Sequence, residues 1–165
     1  MADLSYIPTF TISEALDIAE DITANYYKFS FAQWKRYLYE VKTNDTALDG
    51  AQVYSIFARL TKSYIVSNNK SGIKEYFFIW LQKQAIFSAL NRDSHLKLLP
   101  LLVYIFTHEL VHIIRFRNFH RLFSISAAAQ KEEEQIVHNI AFTILAPLSS
   151  MASLDYVLKV YVNHR

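Results

Sequence analysis

The chain contains no cysteine. That removes disulfides, thiolate metal ligands and a cysteine nucleophile at once. It has only two glycines, Gly50 and Gly72, and three prolines, Pro8, Pro100 and Pro147, in 165 residues. An all-β domain built on tight turns needs more of both, so their scarcity favours long helices. Charge of one sign is also lacking. The net charge is +2 and the basic residues are scattered, with no basic stripe, which argues against a nucleic-acid partner. There is no glycine-rich phosphate loop and no Gly-x-Ser-x-Gly turn, so nucleotide and serine-hydrolase readings drop out. The first residues, MADLSYIPTF, lack the basic start and apolar stretch of a secretory signal, and a cytoplasmic location is expected. Clean membrane-length apolar runs are missing too. Residues 76–90 are broken by Gln82, Lys83 and Gln84, and residues 98–114 by a pair of histidines. Both read as core helices, and no membrane insertion is expected.

What is present is apolar and aromatic. Hydrophobic residues make up 52% of the chain and aromatics 15%, enough for one domain with a packed core. Thr11-Ile-Ser-Glu14 fits a capping box and opens an amphipathic stretch carrying Leu16, Ile18, Ile22 and Tyr26. Further helices are expected over about 30–41, 51–64, 73–90, 98–116, 130–146 and 151–162, with a strand as the alternative for 156–162. Residues 43–50, 67–72 and 91–94 read as breaks. Pro100 can sit in the first turn of the fifth helix, where its missing N–H costs nothing, and Pro147 stops the sixth. Residues 64–67 are the one interior strand candidate, with a frayed helix end as the alternative. The expected fold is a single, mainly α domain with at most a minimal β element. Its parts are a helical N-terminal part (about 11–92), a central part (about 94–147) and a C-terminal element (151–162).

The most polar short constellation lies inside one of the most apolar stretches. In Phe-Thr-His-Glu-Leu-Val-His-Ile-Ile-Arg-Phe (106–116), His108 and His112 are four apart and Glu109 follows the first. On a helix, residues at i and i+4 lie about 6 Å apart on one face. Two imidazoles so placed reach a common zinc ion. Glu109 points about 100° around the helix, which suits it to touch a water beside the metal and take its proton as general base. It is the only formally charged side chain from 98 to 114, and a lone carboxylate there is costly unless it faces a charge or water. The competing reading is two core histidines bonded to backbone or tyrosine.

A catalytic zinc site needs a third protein ligand and an open fourth position. The segment Lys-Glu-Glu-Glu-Gln-Ile-Val-His-Asn-Ile-Ala-Phe-Thr-Ile-Leu-Ala-Pro (131–147) offers candidates. A solvated helix start accounts for Glu132. Glu133 and Glu134 project toward the edges of the apolar face made by Val137, Ile140, Ala141 and Ile144, and Glu134 has His138 one turn on.

His108-Glu-Leu-Val-His112 followed by a glutamate-bearing helix resembles the zincin metallopeptidases of the gluzincin type. In that group the third ligand is a glutamate on a downstream helix, within Glu-x-x-Ala-Asp or Glu-x-x-Ala-Asn. Glu134-Gln-Ile-Val-His138 occupies that pattern, with Val137 for the alanine and His138 for the Asp or Asn. The pattern is closest to the ImmA/IrrE-type metallopeptidases. In that register Ile140-Ala141 match Phe-Ala, Ile144-Leu145 match Leu-Leu, and Pro147 falls on the family's proline. The resemblance covers about 50 residues and implies a zincin-like active-site helix. It implies one zinc ion held by His108, His112 and Glu134, Glu109 as general base, and a peptide or protein substrate. It favours Glu134 over Glu133. His138 is left as a partner orienting a ligand or as a ligand itself. If His138 also ligates, the site is closed and structural, and the chain is a metal-stabilised interaction module. A helical binding protein without metal is the third reading.

Other polar residues have plainer accounts. Arg115, Arg117, His120 and Arg121 suit a helix C-terminus, with anion binding as the alternative. His95 and His164 are expected at the surface. Tyr104, one turn before His108 on the same face, reads as aromatic core, with oxyanion stabilisation as the alternative. The sequence sets no oligomeric state.

Overall fold

The structure is a computed structural model that describes residues 6–44, 57–66, 68, 72–118, 126–148, 150, 151 and 153–162. The described elements run α1 (Thr9–Tyr27), α2 (Phe31–Trp34), β1 (Tyr39–Asn44), β2 (Ala58–Val66), β3 (Ile73–Gln82), α3 (Lys83–Arg92), α4 (Leu98–Asn118), α5 (Ala127–Leu145) and α6 (Leu154–Val162). A 3-10 turn over Ala146–Leu148 follows α5. The fold is mainly α with one small three-stranded sheet, as expected.

The centre of the molecule is α4. From Pro100 to Arg115 every residue is buried. Its length and composition would allow it to cross a bilayer, yet 89% of the apolar window lies inside the fold. It is a core helix, covered by neighbours on several sides and apolar except along one stripe. α1 packs along it, α5 and α6 cover other faces, and β2 approaches it from the sheet. Leu101, Leu102, Phe106, Leu110, Ile113 and Ile114 are all essentially inaccessible. Each contributes about 1.5–3 kcal/mol of burial.

The sheet has the order β1-β3-β2. β1 runs parallel to β3 in the register Tyr39↔Phe77 to Asn44↔Gln82. β2 and β3 are antiparallel, from Ala58↔Leu81 to Val66↔Ile73. On β3 the alternate residues Phe77, Ile79 and Leu81 point into the core. Tyr39 ties the sheet to α1 by donating a hydrogen bond from its hydroxyl to Glu20. Burial pushes the Glu20 carboxyl up, and the Tyr39 hydrogen bond works against that shift.

Several expected helices are corrected. Residues 73–82 form β3, and only then does α3 begin. Both faces of Tyr-Phe-Phe-Ile-Trp-Leu are apolar, which hides the two-residue alternation that marks a strand. The helix expected over 51–64 is strand β2 from residue 58 onward, and 51–56 lie outside the described residues. The strand expected only at 64–67 is thus the end of a longer one. The helix expected over 30–41 is a single turn, α2, followed by β1. Its Ser30 and Gln33 make a reciprocal capping box. The box expected at Thr11–Glu14 does not form, because α1 already starts at Thr9 behind Pro8. α6 is a helix, not a strand. The break expected at 67–72 falls mostly outside the described residues, although Gly72 adopts φ +79°, which favours glycine.

Two predictions follow from this packing. Leu102→Ala is expected to cost about 2–5 kcal/mol in urea unfolding, as for other deletions in a rigid core. A loss below about 1 kcal/mol would contradict the central burial of α4. For Glu20, a raised folded-state pKa means the fold binds its proton more readily than the unfolded chain does. Its contribution therefore weakens as pH rises through the carboxylate range. Tyr39→Phe removes the hydrogen bond that offsets burial, so its cost should be larger near neutral pH than near pH ~4. An equal cost at both pH values would count against this coupling.

Candidate metal centre

α4 and α5 face each other across a polar stripe. Along α4 the stripe is Tyr104, His108, His112 and Arg115, spaced at four, four and three residues, which keeps them on one side of the helix. Along α5 it is Glu133, Glu134 and His138. Arg115 meets Glu133 at one end and Tyr104 meets His138 at the other. The histidine and glutamate cluster lies between these two contacts.

The candidate ligand atoms converge. His108 Nε2 lies 3.1 Å from Glu134 Oε2, and His112 Nε2 lies 2.9 Å from Glu134 Oε1. His138 Nε2 is 3.8 Å from Glu134 Oε2. The imidazole centroids of His108 and His112 are 4.9 Å apart, and those of His108 and His138 are 4.7 Å apart. One ligand atom from each of His108, Glu134 and His138 falls within a 4.8 Å span, so this group could hold a metal ion. His108, His112 and His138 are each 6% exposed or less. The Glu134 side chain, at 24%, is the wettest of the four.

The electrostatics suit a cation. Burial would push Glu134 up, but hydrogen bonds from His108 and His112 outweigh it and hold the carboxyl well below its usual range. Burial would lower His112, but its hydrogen bond to Glu134 reverses the direction and raises it. Without metal, the cluster is thus an internal ion pair. A bound cation would compete with the proton that Glu134 helps hold on His112. Glu109 stands apart. It is 2% exposed, and its Oε1 has no hydrogen-bond partner among the described residues. Burial, partly offset by His112 and reinforced by Glu134, pushes its carboxyl up to about 7. A cation beside it would draw that value down again.

A small cavity of about 10 Å³ adjoins the cluster, lined by Phe57, Tyr104, Ile105, His108, Glu109, His138 and Tyr161. That is about the space of a single water. Phe57 and Tyr161 meet edge to face at 5.1 Å, and Tyr161 stacks on Tyr104 at 6.5 Å. A wider groove of about 580 Å³ lies between α1 and β1, with Glu20, Lys35 and Glu40 among its lining residues.

The sequence residues sort cleanly. His108, His112, Glu134 and His138 come together, and Glu109 lies beside them. Glu133, kept as an alternative ligand, is instead held by Arg115, with Nε to Oε1 at 2.5 Å and Nη2 to Oε2 at 3.1 Å. Arg115 therefore does more than sit at the C-terminus of α4. Arg117 lies there too, its guanidinium 5.6 Å from the Tyr37 ring. α5 begins at Ala127, capped by Ser126, so Glu132–134 lie beyond its first turn rather than at its start. Tyr104 donates to or accepts from His138 Nδ1 at 3.2 Å. His95 is exposed as expected, while His120, Arg121 and His164 lie outside the described residues. The sequence reading missed Phe57 and Tyr161 because nothing local in their segments points to α4. It missed the Arg115–Glu133 pair although Arg115 falls seven residues after His108, which puts it on the ligand face. No protein-family model matches this chain, no curated protein is detectably similar to it, and no solved structure matches it.

Tyr104→Phe is expected to destabilise the metal-free protein by about 1–3 kcal/mol in chemical unfolding, since it strips a buried imidazole of a hydrogen-bond partner. A neutral effect would mean that the Tyr104–His138 contact contributes nothing to the α4–α5 interface.

Proposed function

We propose that this chain is a zinc-dependent, metallopeptidase-like hydrolase. His108, His112 and Glu134 hold the ion and Glu109 serves as general base. The observation that carries the reading is the convergence of both motif imidazoles on the two oxygens of one glutamate, at 3.1 and 2.9 Å. Ligand atoms around a tetrahedral zinc, each at about 2.0–2.1 Å from the ion, sit at roughly such separations. The likeness of the motif to the gluzincin pattern supports the same assignment, with a peptide or protein as substrate.

When bound, zinc supplies Lewis acidity, acidifying a neighbouring water and polarising a carbonyl. The chain's own residues do the rest. Glu109 lines the cavity beside the cluster, its Oε1 has no hydrogen-bond partner among the described residues, and its carboxylate would take the water's proton. The protonated Glu109 carboxyl would then return that proton to the leaving amine. His112 stacks on Phe116 at 5.5 Å, and Tyr104 braces His138, which fixes the ring planes. Phe57 and Tyr161 line the cavity beside Glu109, where they would contact a substrate.

One observation favours a second reading. His138 lies within ligand reach of the same glutamate oxygen as His108, and the adjoining cavity is only about 10 Å³. Four protein ligands would make a structural site and leave a metal-stabilised interaction module.

Elemental analysis of the zinc-loaded protein separates these. The hydrolase reading expects about one zinc per chain, lost in His112→Ala and Glu134→Ala and retained in His138→Ala. It also expects Glu109→Gln to keep its zinc while peptide hydrolysis falls by about 10²-fold or more. Loss of zinc in His138→Ala together with no hydrolysis by the wild type would favour the closed site. A wild type that takes up no zinc would end both readings.

A further inference from the structure

The third ligand of the proposed site stands on a stretch of helix with little to hold it down. In the first ten residues of α5, 127–136, Glu133 is the one buried residue. Apolar packing resumes only at Val137, which joins Val111 and Ile144 in a small cluster with Ile22 and Tyr27 beside it. Glu134 therefore lies between an apolar anchor on its C-terminal side and Glu133 on its N-terminal side. Glu133 is 5% exposed and is met in a bidentate pair by Arg115, itself 9% exposed. Arg115 is three residues beyond His112 on the helix that carries both imidazoles.

We infer that Arg115 and Glu133 are positioning residues, a clamp that fixes the register of α5 against α4 and so places Glu134 on His108 and His112. This inference rests on the metal-site reading above. Its physical basis is the geometry of the fork. Two parallel N–H to oxygen bonds fix distance and rotation together, which a point charge or an apolar contact does not. The pair also occupies both oxygens of Glu133. That carboxylate is thereby kept off the metal although it neighbours the ligand in sequence. A buried pair of this kind is weak evidence for stability, because desolvating two charges offsets much of their attraction. Its better-supported use is to select one register, and the register at issue is the one that closes the ligand set.

The test is a zinc titration against a chromophoric chelator, paired with absorption spectra of the cobalt(II)-loaded protein. The variants are Glu133→Gln and Arg115→Lys, with Glu134→Ala as reference. Both keep volume and helix propensity, and folding is checked by circular dichroism and the metal-free unfolding midpoint. The expected result is an affinity for zinc about 10–100-fold weaker than wild type. The cobalt spectrum should shift toward that of Glu134→Ala. If one variant fails to fold, the other carries the same expectation. Wild-type affinity and an unchanged cobalt spectrum, with only a lowered unfolding midpoint, would overturn the inference and leave the pair a structural brace. Failure of the underlying reading looks different: the wild type itself would take up neither zinc nor cobalt, and the clamp would fall with it.

Discussion

Burying ionisable groups between two helices is the constraint around which this molecule is arranged. His108, Glu109, His112, Arg115, Glu133 and His138 are all buried, and Glu134 is only partly wet. An isolated charge in such a place is prohibitive, so each must be matched. The structure matches them in order along one stripe: Tyr104 to His138, His108 and His112 to Glu134, Arg115 to Glu133. Glu109 is the exception. One of its oxygens faces no partner among the described residues, and its carboxyl is pushed up to about 7. A buried acid left in this condition beside imidazoles marks a candidate functional site.

The rest of the fold makes that stripe possible. α4 is covered by α1, α5, α6 and the sheet, so its backbone and its apolar residues are immobilised on several sides. Such a platform holds imidazoles at fixed spacing, which loops do less well. α5 contributes the complementary carboxylates, but its apolar contact with α4 is confined to the half after Val137. Polar pairs take over in the other half. The division explains how one helix can be both packed into the core and partly exposed at Glu134.

Much of this was legible in the sequence, and the reasons for the rest are specific. The histidine pair and the Glu134–His138 pair were readable because helical spacing converts directly into a common face, and Glu109 because it is the lone charge in an apolar stretch. The mainly α character followed from the scarcity of glycine and proline. The strands were harder. Residues 73–82 are apolar on both faces, and 58–66 carry a mixed pattern in which burial declines along the strand. Neither shows the simple alternation of a half-buried strand, and pairing partners far along the chain decide their conformation. Glu133 was separable from Glu134 only through the likeness to a family pattern. The physical reason is Arg115, and an ion pair between residues 18 apart leaves no local trace. Phe57 and Tyr161 reach the site from the sheet and the last helix, a convergence that only the tertiary fold creates.

X-ray absorption at the zinc edge, recorded on the zinc-loaded wild type, tests the central claim most directly. The account predicts a first shell at about 2.0–2.1 Å composed of two imidazoles and light oxygen donors, losing an oxygen donor in Glu134→Ala and shifting in the same direction in Glu133→Gln. A shell with three imidazoles, or the absence of bound zinc after loading and desalting, would contradict it.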